Sequence, residues 1–234
     1  MDEKEIVKEC QKASLAGNTQ EVLDRIQAVP EEERTKEMKS LLAWAFFRRG
    51  DYSQSLSIAT EIEDAGLSAQ IYAYVSKADK ALKDLSEKHP ENSDIWNALV
   101  IRARDPDYSD YSLEEFDLKN NELFGSLEIA AKHFTNNLAR LYLAKYQSLE
   151  DVWKAACLLE NDLQRYGEGD VNIHHKAAAA FWLLQAYTIL EQPSLAKNAA
   201  KKSFDWWKKA HEIDPQNKVF EEKYLNAKKI YESL

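Results

Sequence analysis

The sequence predicts an all-α protein, and three observations support this prediction. The 234 residues include only 6 Gly and 5 Pro, the two residue types that most often interrupt helices. Ala, Leu, Glu and Lys, which favour helices, dominate the composition. Alternating runs of Val, Ile and Thr, which are typical of strands, do not occur. Helices without strands are therefore expected along the chain.

Apolar residues at helical spacing mark the positions of the predicted helices along the chain. Ser93 precedes one segment as an N-cap, and Ser112 with Glu115 forms a Ser-x-x-Glu capping box at the start of another. No Gly/Ser-rich or Pro-rich linker separates the helices, so one continuous domain over 1–234 is expected. We expect helices at about 2–15, 19–28, 35–49, 53–64, 67–88, 93–104, 112–124, 126–146, 149–166, 171–190, 194–212 and 217–232.

One turn shows how consecutive helices are joined. Arg49-Gly50-Asp51-Tyr52 separates an apolar helical run from an amphipathic one. Leu42 and Phe46 fall on one face of the first helix, and Gly50 can adopt the positive φ that ends a helix. A hairpin of this kind cannot bury its apolar surfaces alone, so further helices are expected to stack against it.

Similar turns recur along the chain. Gly17 stands 33 residues before Gly50 in the same kind of turn. The other segments are His89-Pro90-Glu91-Asn92, Gln147-Ser148-Leu149, Glu191-Gln192-Pro193 and Ile213-Asp214-Pro215-Gln216-Asn217. This pattern resembles the tetratricopeptide-repeat (TPR) superfamily, best over residues 36–64. The resemblance implies a right-handed α-solenoid of antiparallel helix pairs, a TPR-like superhelix with about 11–13 helices.

The chain departs from the regular repeat in several places. The glycine of the family signature is replaced by Ala43, Val100 and Leu184 in three units. An irregular insertion is expected at about 104–112, and residues 67–88 are too few for a comfortable helix pair. A helix at about 217–232 is expected to cap the C-terminal end of the solenoid.

The resemblance implies a function as an interaction scaffold or adaptor, because the first helices of TPR units line a concave groove. That groove would hold a partner protein, as an extended or helical peptide whose backbone the amides satisfy and whose acidic side chains pair with Arg and Lys. Projected residue by residue, the groove positions are Ser40, Trp44, Phe47, Arg48, Asn97, Ile101, Arg104, Asn137, Leu141, Lys145, Phe181 and Gln185.

Charge and hydropathy limit the kinds of partner. The net charge of −9 opposes binding to nucleic acid, although residues 175–234 carry 10 Lys and Arg against 7 Asp and Glu, or +3. The N-terminus has no apolar signal core, and no run approaches 18 apolar residues. We therefore expect a cytoplasmic protein without membrane insertion. Cys10 and Cys157 are expected to be ordinary reduced thiols.

The sequence contains no motif that points to catalysis, a cofactor or a metal. His174 and His175 are adjacent and point about 100° apart on a helix, so both cannot readily bind one metal ion. Asp105 and Asp107 suggest a calcium loop, but the twelfth position is Phe116 instead of Glu. We expect a protein that is not an enzyme, without cofactor or metal.

Two alternatives to the adaptor remain open. A structural subunit, self-associating or part of a larger assembly, is suggested by Trp44, Phe47 and the pair Trp206-Trp207, because exposed aromatic side chains seldom persist on a monomer. A metal-dependent helical enzyme would use Asp105, Asp107, His174 or His175.

Overall fold

A computed structural model describes residues 3–75, 78–105, 110–123, 129–165 and 173–234. Within these ranges the protein is all-helical and contains no strand, which confirms the predicted class. A short 3₁₀ turn, Glu31–Glu33, accompanies the α-helices. The helices are α1 (Glu3–Ala16), α2 (Thr19–Gln27), α3 (Lys36–Arg49), α4 (Tyr52–Glu61), α5 (Ala65–Tyr74), α6 (Asp79–Lys88), α7 (Ser93–Arg102), α8 (Leu113–Leu123), α9 (Ile129–Lys145), α10 (Leu149–Arg165), α11 (Ile173–Ile189), α12 (Pro193–Ile213) and α13 (Lys218–Ser233).

The prediction of a single helix over 67–88 is wrong, because this segment belongs to two helices, α5 and α6. Val75 ends α5 with an extended backbone, at φ −98° and ψ 119°. Asp79 begins α6, where its carboxylate interacts favourably with the helix dipole. The two helices pack against each other, and that burial requires a break that no Gly or Pro announces in the sequence.

The chain forms two compact units, Met1–Ala98 and Leu99–Leu234, whose boundary falls inside α7. Each unit is described separately below, and the single domain over 1–234 stays a prediction. Of the irregular insertion predicted at about 104–112, residues 106–109 lie outside the described ranges. None of the described helices is long and apolar enough to cross a membrane.

In the N-terminal unit, successive helices from α1 to α6 pack against each other. α3 and α4 are antiparallel. The Ser55 hydroxyl in the first turn of α4 donates to the Ala43 carbonyl in the middle of α3 at 2.8 Å, whereas Glu61 at the end of α4 pairs with Lys39 near the start of α3. Gly50 ends α3 with φ 82°, the left-handed conformation expected of this glycine. Helices α1 and α3 also pack against each other, as do α3 and α5.

In the C-terminal unit, α8 to α13 also pack in sequence, and α9 packs against α11. α9 and α10 are antiparallel, because Asn136 bonds to Asp162 whereas Lys154 lies over the ring of Tyr142. α9 and α11 run parallel: His133 meets His175, and seven residues further along each helix Arg140 meets Trp182. Each of the three helices α9, α10 and α11 is therefore antiparallel to the next one, and α9 and α11 are parallel.

α13 packs against α12 through the apolar stripe expected at about 217–232. Trp207 is buried and its ring lies 5.9 Å from that of Phe220, while Phe204 stacks on Tyr224 at the same distance. Trp206 is only half-buried. The two adjacent tryptophans thus differ in environment, as their 100° separation on a helix requires.

Candidate functional site

Four predicted groove residues lie on α3 in the N-terminal unit. The Ser40 hydroxyl is 3.4 Å from the Asp64 carboxylate, and the rings of Trp44 and Phe47 are both half-buried. Arg48 is exposed, but its guanidinium donates to the Ser14 carbonyl at 2.9 Å and to the Ser14 hydroxyl at 2.8 Å. Arg48 therefore ties the end of α1 to α3.

An aromatic cluster surrounds Phe47, and we define it as the α3–α5 aromatic cluster: Trp44, Phe47, Tyr52 and Tyr74. Phe47 makes edge contacts with Trp44 and Tyr74, each with ring centroids 5.6 Å apart. Tyr52 and Tyr74 stack at 5.8 Å, and Tyr74 remains 50% exposed. Burial, with a smaller effect from Tyr74, raises the pKa of the Tyr52 phenol above its ordinary value. The projection from sequence did not include either tyrosine in the surface of this unit, because Tyr52 lies just beyond the turn and Tyr74 lies at the end of α5.

The α7 predictions fall on the two sides of the unit boundary. Asn97 belongs to the N-terminal unit and is buried. Ile101 and Arg104 belong to the C-terminal unit and are half-buried, and Arg104 Nε donates to the Ile101 carbonyl at 3.2 Å. In this position Arg104 satisfies a carbonyl in the last turn of α7.

On α9 and α11 the predicted residues differ in accessibility. Phe181, Gln185 and Lys145 are half-buried, whereas Asn137 is buried and Leu141 is 1% exposed. Leu141 therefore lies in the core of the C-terminal unit and offers no surface to a partner in this conformation. One residue along α9 corresponds to a rotation of about 100°, and Arg140, the neighbour of Leu141, is half-buried.

Arg140 is held in place by two neighbours. Its guanidinium lies 4.8 Å from the centroid of the Trp182 ring on α11, and its Nη1 donates to Asn137 Oδ1 at 3.2 Å. Trp182 makes an edge contact with Phe181, with centroids 5.7 Å apart. We define the α9–α11 face as His133, Asn137, Arg140, Phe181, Trp182 and Gln185. Helical spacing supports this definition, because 133, 137 and 140 follow one stripe of α9.

Sequence reasoning identified three members of the α9–α11 face and missed the other three. Asn137, Phe181 and Gln185 were among the projected groove residues, whereas His133, Arg140 and Trp182 were not. A signal for the missed pair exists in the sequence: Arg140 and Trp182 are each one position away from a projected residue. Their contact depends on how α9 packs against α11, which no spacing within one helix reveals.

A buried polar network joins α9 to α8 and α10. Thr135 donates to Asn120 at 2.8 Å and accepts from Arg165 at 3.0 Å, while Asn136 donates to Asp162 at 3.3 Å. Asp162 is fully buried, and its Oδ1 has no hydrogen-bond partner among the described residues. Burial raises the pKa of Asp162 to about 7, although Asn136 and Arg165 act in the opposite direction.

Of the residues considered for a metal site, His174 and His175 are neighbours, and they lie apart from Asp105 in the chain. The rings of His174 and His175 are tilted by 43° with centroids 4.1 Å apart, and His174 stacks on Phe220 at 5.6 Å. Asp105 pairs with Arg102, and Asp107 lies outside the described residues. Among the described residues, no three His, Cys, Asp or Glu side chains are arranged to hold a metal ion.

The fold and these two surfaces define an all-helical protein of paired helices with half-buried aromatic surface in each unit. No protein-family model matches the chain, and no curated protein sequence matches it. The side chains and their packing are therefore the basis for assigning a function.

Proposed function

We propose that the protein is a non-enzymatic adaptor of TPR-like, right-handed solenoid architecture that binds a partner protein as a peptide segment. The observation that carries this proposal is the parallel pairing of α9 and α11 at a constant offset, with His133 against His175 and Arg140 against Trp182. Parallel first helices, each followed by an antiparallel second helix, are what a stack of helix hairpins produces.

The α9–α11 face has the mixed chemistry that peptide binding needs. Phe181 and Trp182 supply apolar area that stays partly accessible, and Gln185 supplies both a donor and an acceptor for a peptide backbone. Aromatic and Arg side chains commonly contribute most of the binding free energy at protein interfaces. The α3–α5 aromatic cluster offers a second, less polar surface in the N-terminal unit.

Site-specific crosslinking tests the proposal. A photoreactive phenylalanine analogue would replace Gln185 on the α9–α11 face or, as a control, the exposed Glu222 on α13. We expect discrete adducts from position 185 in cells that naturally contain the protein, and none from position 222. The captured partner, once purified, should bind the Phe181→Ala variant at least tenfold more weakly, about 1.4 kcal/mol, but bind Trp153→Ala normally. Adducts from both positions, or from neither, would contradict the proposal.

A structural subunit is the second candidate function, and exposed apolar residues on α10 favour it. Leu149 and Trp153 are 60% and 45% exposed and lie one helical turn apart. The ring of Trp153 contacts Tyr187, which also lines a recess of about 580 Å³ at the α11–α12 turn. Apolar side chains grouped in this way are typical of surfaces that another chain covers.

Sedimentation velocity distinguishes self-assembly from a monomeric adaptor. If α10 forms a contact between copies, the wild-type protein should dimerise with increasing concentration, and the Leu149→Lys/Trp153→Lys double variant should remain monomeric. Leu118, which is 61% exposed on α8, provides the control substitution Leu118→Lys. A wild-type protein that stays monomeric at about 100 μM argues against self-assembly through this surface.

A further inference from the structure

Accessible apolar side chains on α10 continue onto the turn between α11 and α12. Leu149 and Trp153, which are 60% and 45% exposed, lie one helical turn apart. The ring of Trp153 lies 6.5 Å from that of Tyr187 on α11. Tyr187 in turn lines the recess of about 580 Å³ at the α11–α12 turn, together with Glu191 and Pro193. One connected surface therefore extends from the start of α10 to the start of α12.

Carboxylates lie beside the apolar part of this surface. Glu150 precedes Trp153 by three residues and Glu160 follows it by seven, so both lie within about 60° of Trp153 around α10. The Tyr187 phenol donates a hydrogen bond to Glu160, which fixes the position of that carboxylate. Glu191 lines the recess and is exposed. We define the α10–α12 surface as Leu149, Glu150, Trp153, Glu160, Tyr187 and Glu191.

The lysines that lie nearest to this surface in the chain have other contacts or are partly covered. Lys154 pairs with Asp117 on α8, and its charge is neutralised there. Lys197, which lines the recess, donates to the Leu234 carbonyl at 3.1 Å. Lys145 is half-buried at the end of α9. The exposed carboxylates therefore determine the charge that the α10–α12 surface presents.

These carboxylates also decide which kind of chain fits the surface. Glu150 and Glu191 are exposed and form no ion pair with any described residue. In a two-fold symmetric dimer the same surface of each copy meets itself, so these carboxylates would approach one another and oppose association. A segment with positive side chains gains attraction at the same place, and a Lys or Arg side chain can also lie over the exposed ring of Trp153.

We propose that the α10–α12 surface binds a segment of another protein in which Lys or Arg side chains stand beside one large apolar residue. The apolar residue packs against Leu149 and Trp153, and the basic side chains pair with Glu150 and Glu191. This surface is distinct from the α9–α11 face, because Gln185 and Tyr187 point about 160° apart around α11. It therefore adds a second interaction to the proposed adaptor function.

The experiment pans a phage-displayed library of random peptides, about 12 residues long, against the full chain. Counter-selection on the Leu149→Ala/Trp153→Ala variant removes peptides that bind elsewhere, including those that bind the α9–α11 face. Both substitutions are neutral, so the counter-selection itself does not favour basic peptides. Fluorescence anisotropy then gives the Kd of the enriched, fluorescein-labelled peptides.

The test variant is Glu150→Gln/Glu191→Gln. The matched control, Glu221→Gln/Glu222→Gln on α13, removes two exposed carboxylates at another place. Circular dichroism and thermal melting verify that each variant is folded.

We expect the enriched peptides to be richer in Lys and Arg than the library and to share one aromatic or large aliphatic residue. Binding should weaken about tenfold in the test variant and change less than about twofold in the control. Raising the salt concentration from 50 to 300 mM should weaken wild-type binding more than that of the test variant, because screening acts on the same charges.

A second pair of substitutions separates binding from stability. Glu191 and Glu63 both have a φ of 55°, a conformation that Gly adopts more readily. Glu191→Gly and Glu63→Gly each remove one carboxylate without adding backbone strain, so neither should lower the melting temperature appreciably. Only Glu191→Gly should weaken peptide binding, by about threefold.

Four results would overturn the inference. Enriched peptides that are neutral or acidic would refute a basic partner, and equal weakening in both Gln variants would show a general charge effect. A wild-type protein that dimerises in sedimentation velocity, and stays monomeric as the Leu149→Lys/Trp153→Lys variant, would make a second copy the occupant. If no peptide survives the counter-selection, the α10–α12 surface does not bind such segments. The adaptor function would still stand on crosslinking at Gln185.

Discussion

Replacing Asp162 with Asn is predicted to remove a pH dependence of stability from the C-terminal unit. The carboxylate is fully buried, accepts one hydrogen bond from Asn136, and has a pKa raised by burial from 3.8 to about 7. Because the pKa in the folded state lies above the unfolded value, the folded protein binds this proton more tightly. The resulting stabilisation is complete below about pH 4 and disappears as the pH rises to about 7.

The size of the effect follows from the shift in pKa. A shift of about three units, at 1.36 kcal/mol per unit, corresponds to about 4 kcal/mol of unfolding free energy between pH 4 and pH 8. Asn accepts the same hydrogen bond from Asn136 but does not ionise. The amide N–H groups of Asn, where they are buried without acceptors, can lower the unfolding free energy by about 1–3 kcal/mol, but this decrease is the same at every pH.

Urea unfolding followed by tryptophan fluorescence at pH 4.5, 6, 7 and 8 measures this difference. The unfolding free energy of Asp162→Asn minus that of the wild type should rise steadily over this range, by roughly 3–4 kcal/mol. Asp205→Asn, at an exposed site on α12, is the control and should show little change with pH. A difference that is independent of pH would refute the reasoning, because Asp162 would then titrate near its ordinary pKa.

Three further substitutions test a hydrogen bond between helices, a close approach of two helices and the packing of the core. Arg48→Ala should lower the melting temperature by a few degrees, because it removes the hydrogen bonds to Ser14. Gly66→Ala should destabilise the N-terminal unit by about 1 kcal/mol, because the new Cβ would lie 2.9 Å from Asp94 Cβ, which outweighs the higher helix propensity of Ala. Phe134→Ala, at a fully buried site, should cost about 3–5 kcal/mol in urea unfolding.

Matched substitutions provide the controls for these predictions. Arg49→Ala removes the same side chain one position along α3 and should leave the melting temperature nearly unchanged. Leu118→Ala, at a site that is 61% exposed, should cost less than about 0.5 kcal/mol. If Arg49→Ala is as destabilising as Arg48→Ala, the contact with Ser14 does not explain the effect. If Gly66→Ala leaves the unfolding free energy unchanged, the Asp94 side chain moves away from the new Cβ without loss of stability.

The helices themselves were predictable because their apolar faces repeat with the helical period. The turn at Gly50 was also predictable, since a positive φ at a helix end favours Gly. The break between α5 and α6 was not predictable from local sequence. It contains no Gly or Pro, and the two helices that it separates pack against each other, a tertiary contact that local sequence does not reveal.

The candidate site was predictable only to within one residue. Projection from the turn at Gln147 selected Leu141, whereas the accessible neighbour is Arg140. That offset arises at the turn, because α3 ends one residue before Gly50, whereas α9 ends at Lys145, two residues before Gln147. An error of one residue rotates the side chain by about 100°, which moves it from the surface to the core.

α9 carries two different roles on two of its sides. Asn136 faces α10 and holds Asp162, whereas the next residue, Asn137, accepts a hydrogen bond from Arg140 on the α9–α11 face. Buried polar contacts of the first kind can fix the register between two helices at some cost in stability. Because adjacent residues on a helix point about 100° apart, the two amides act in separate environments.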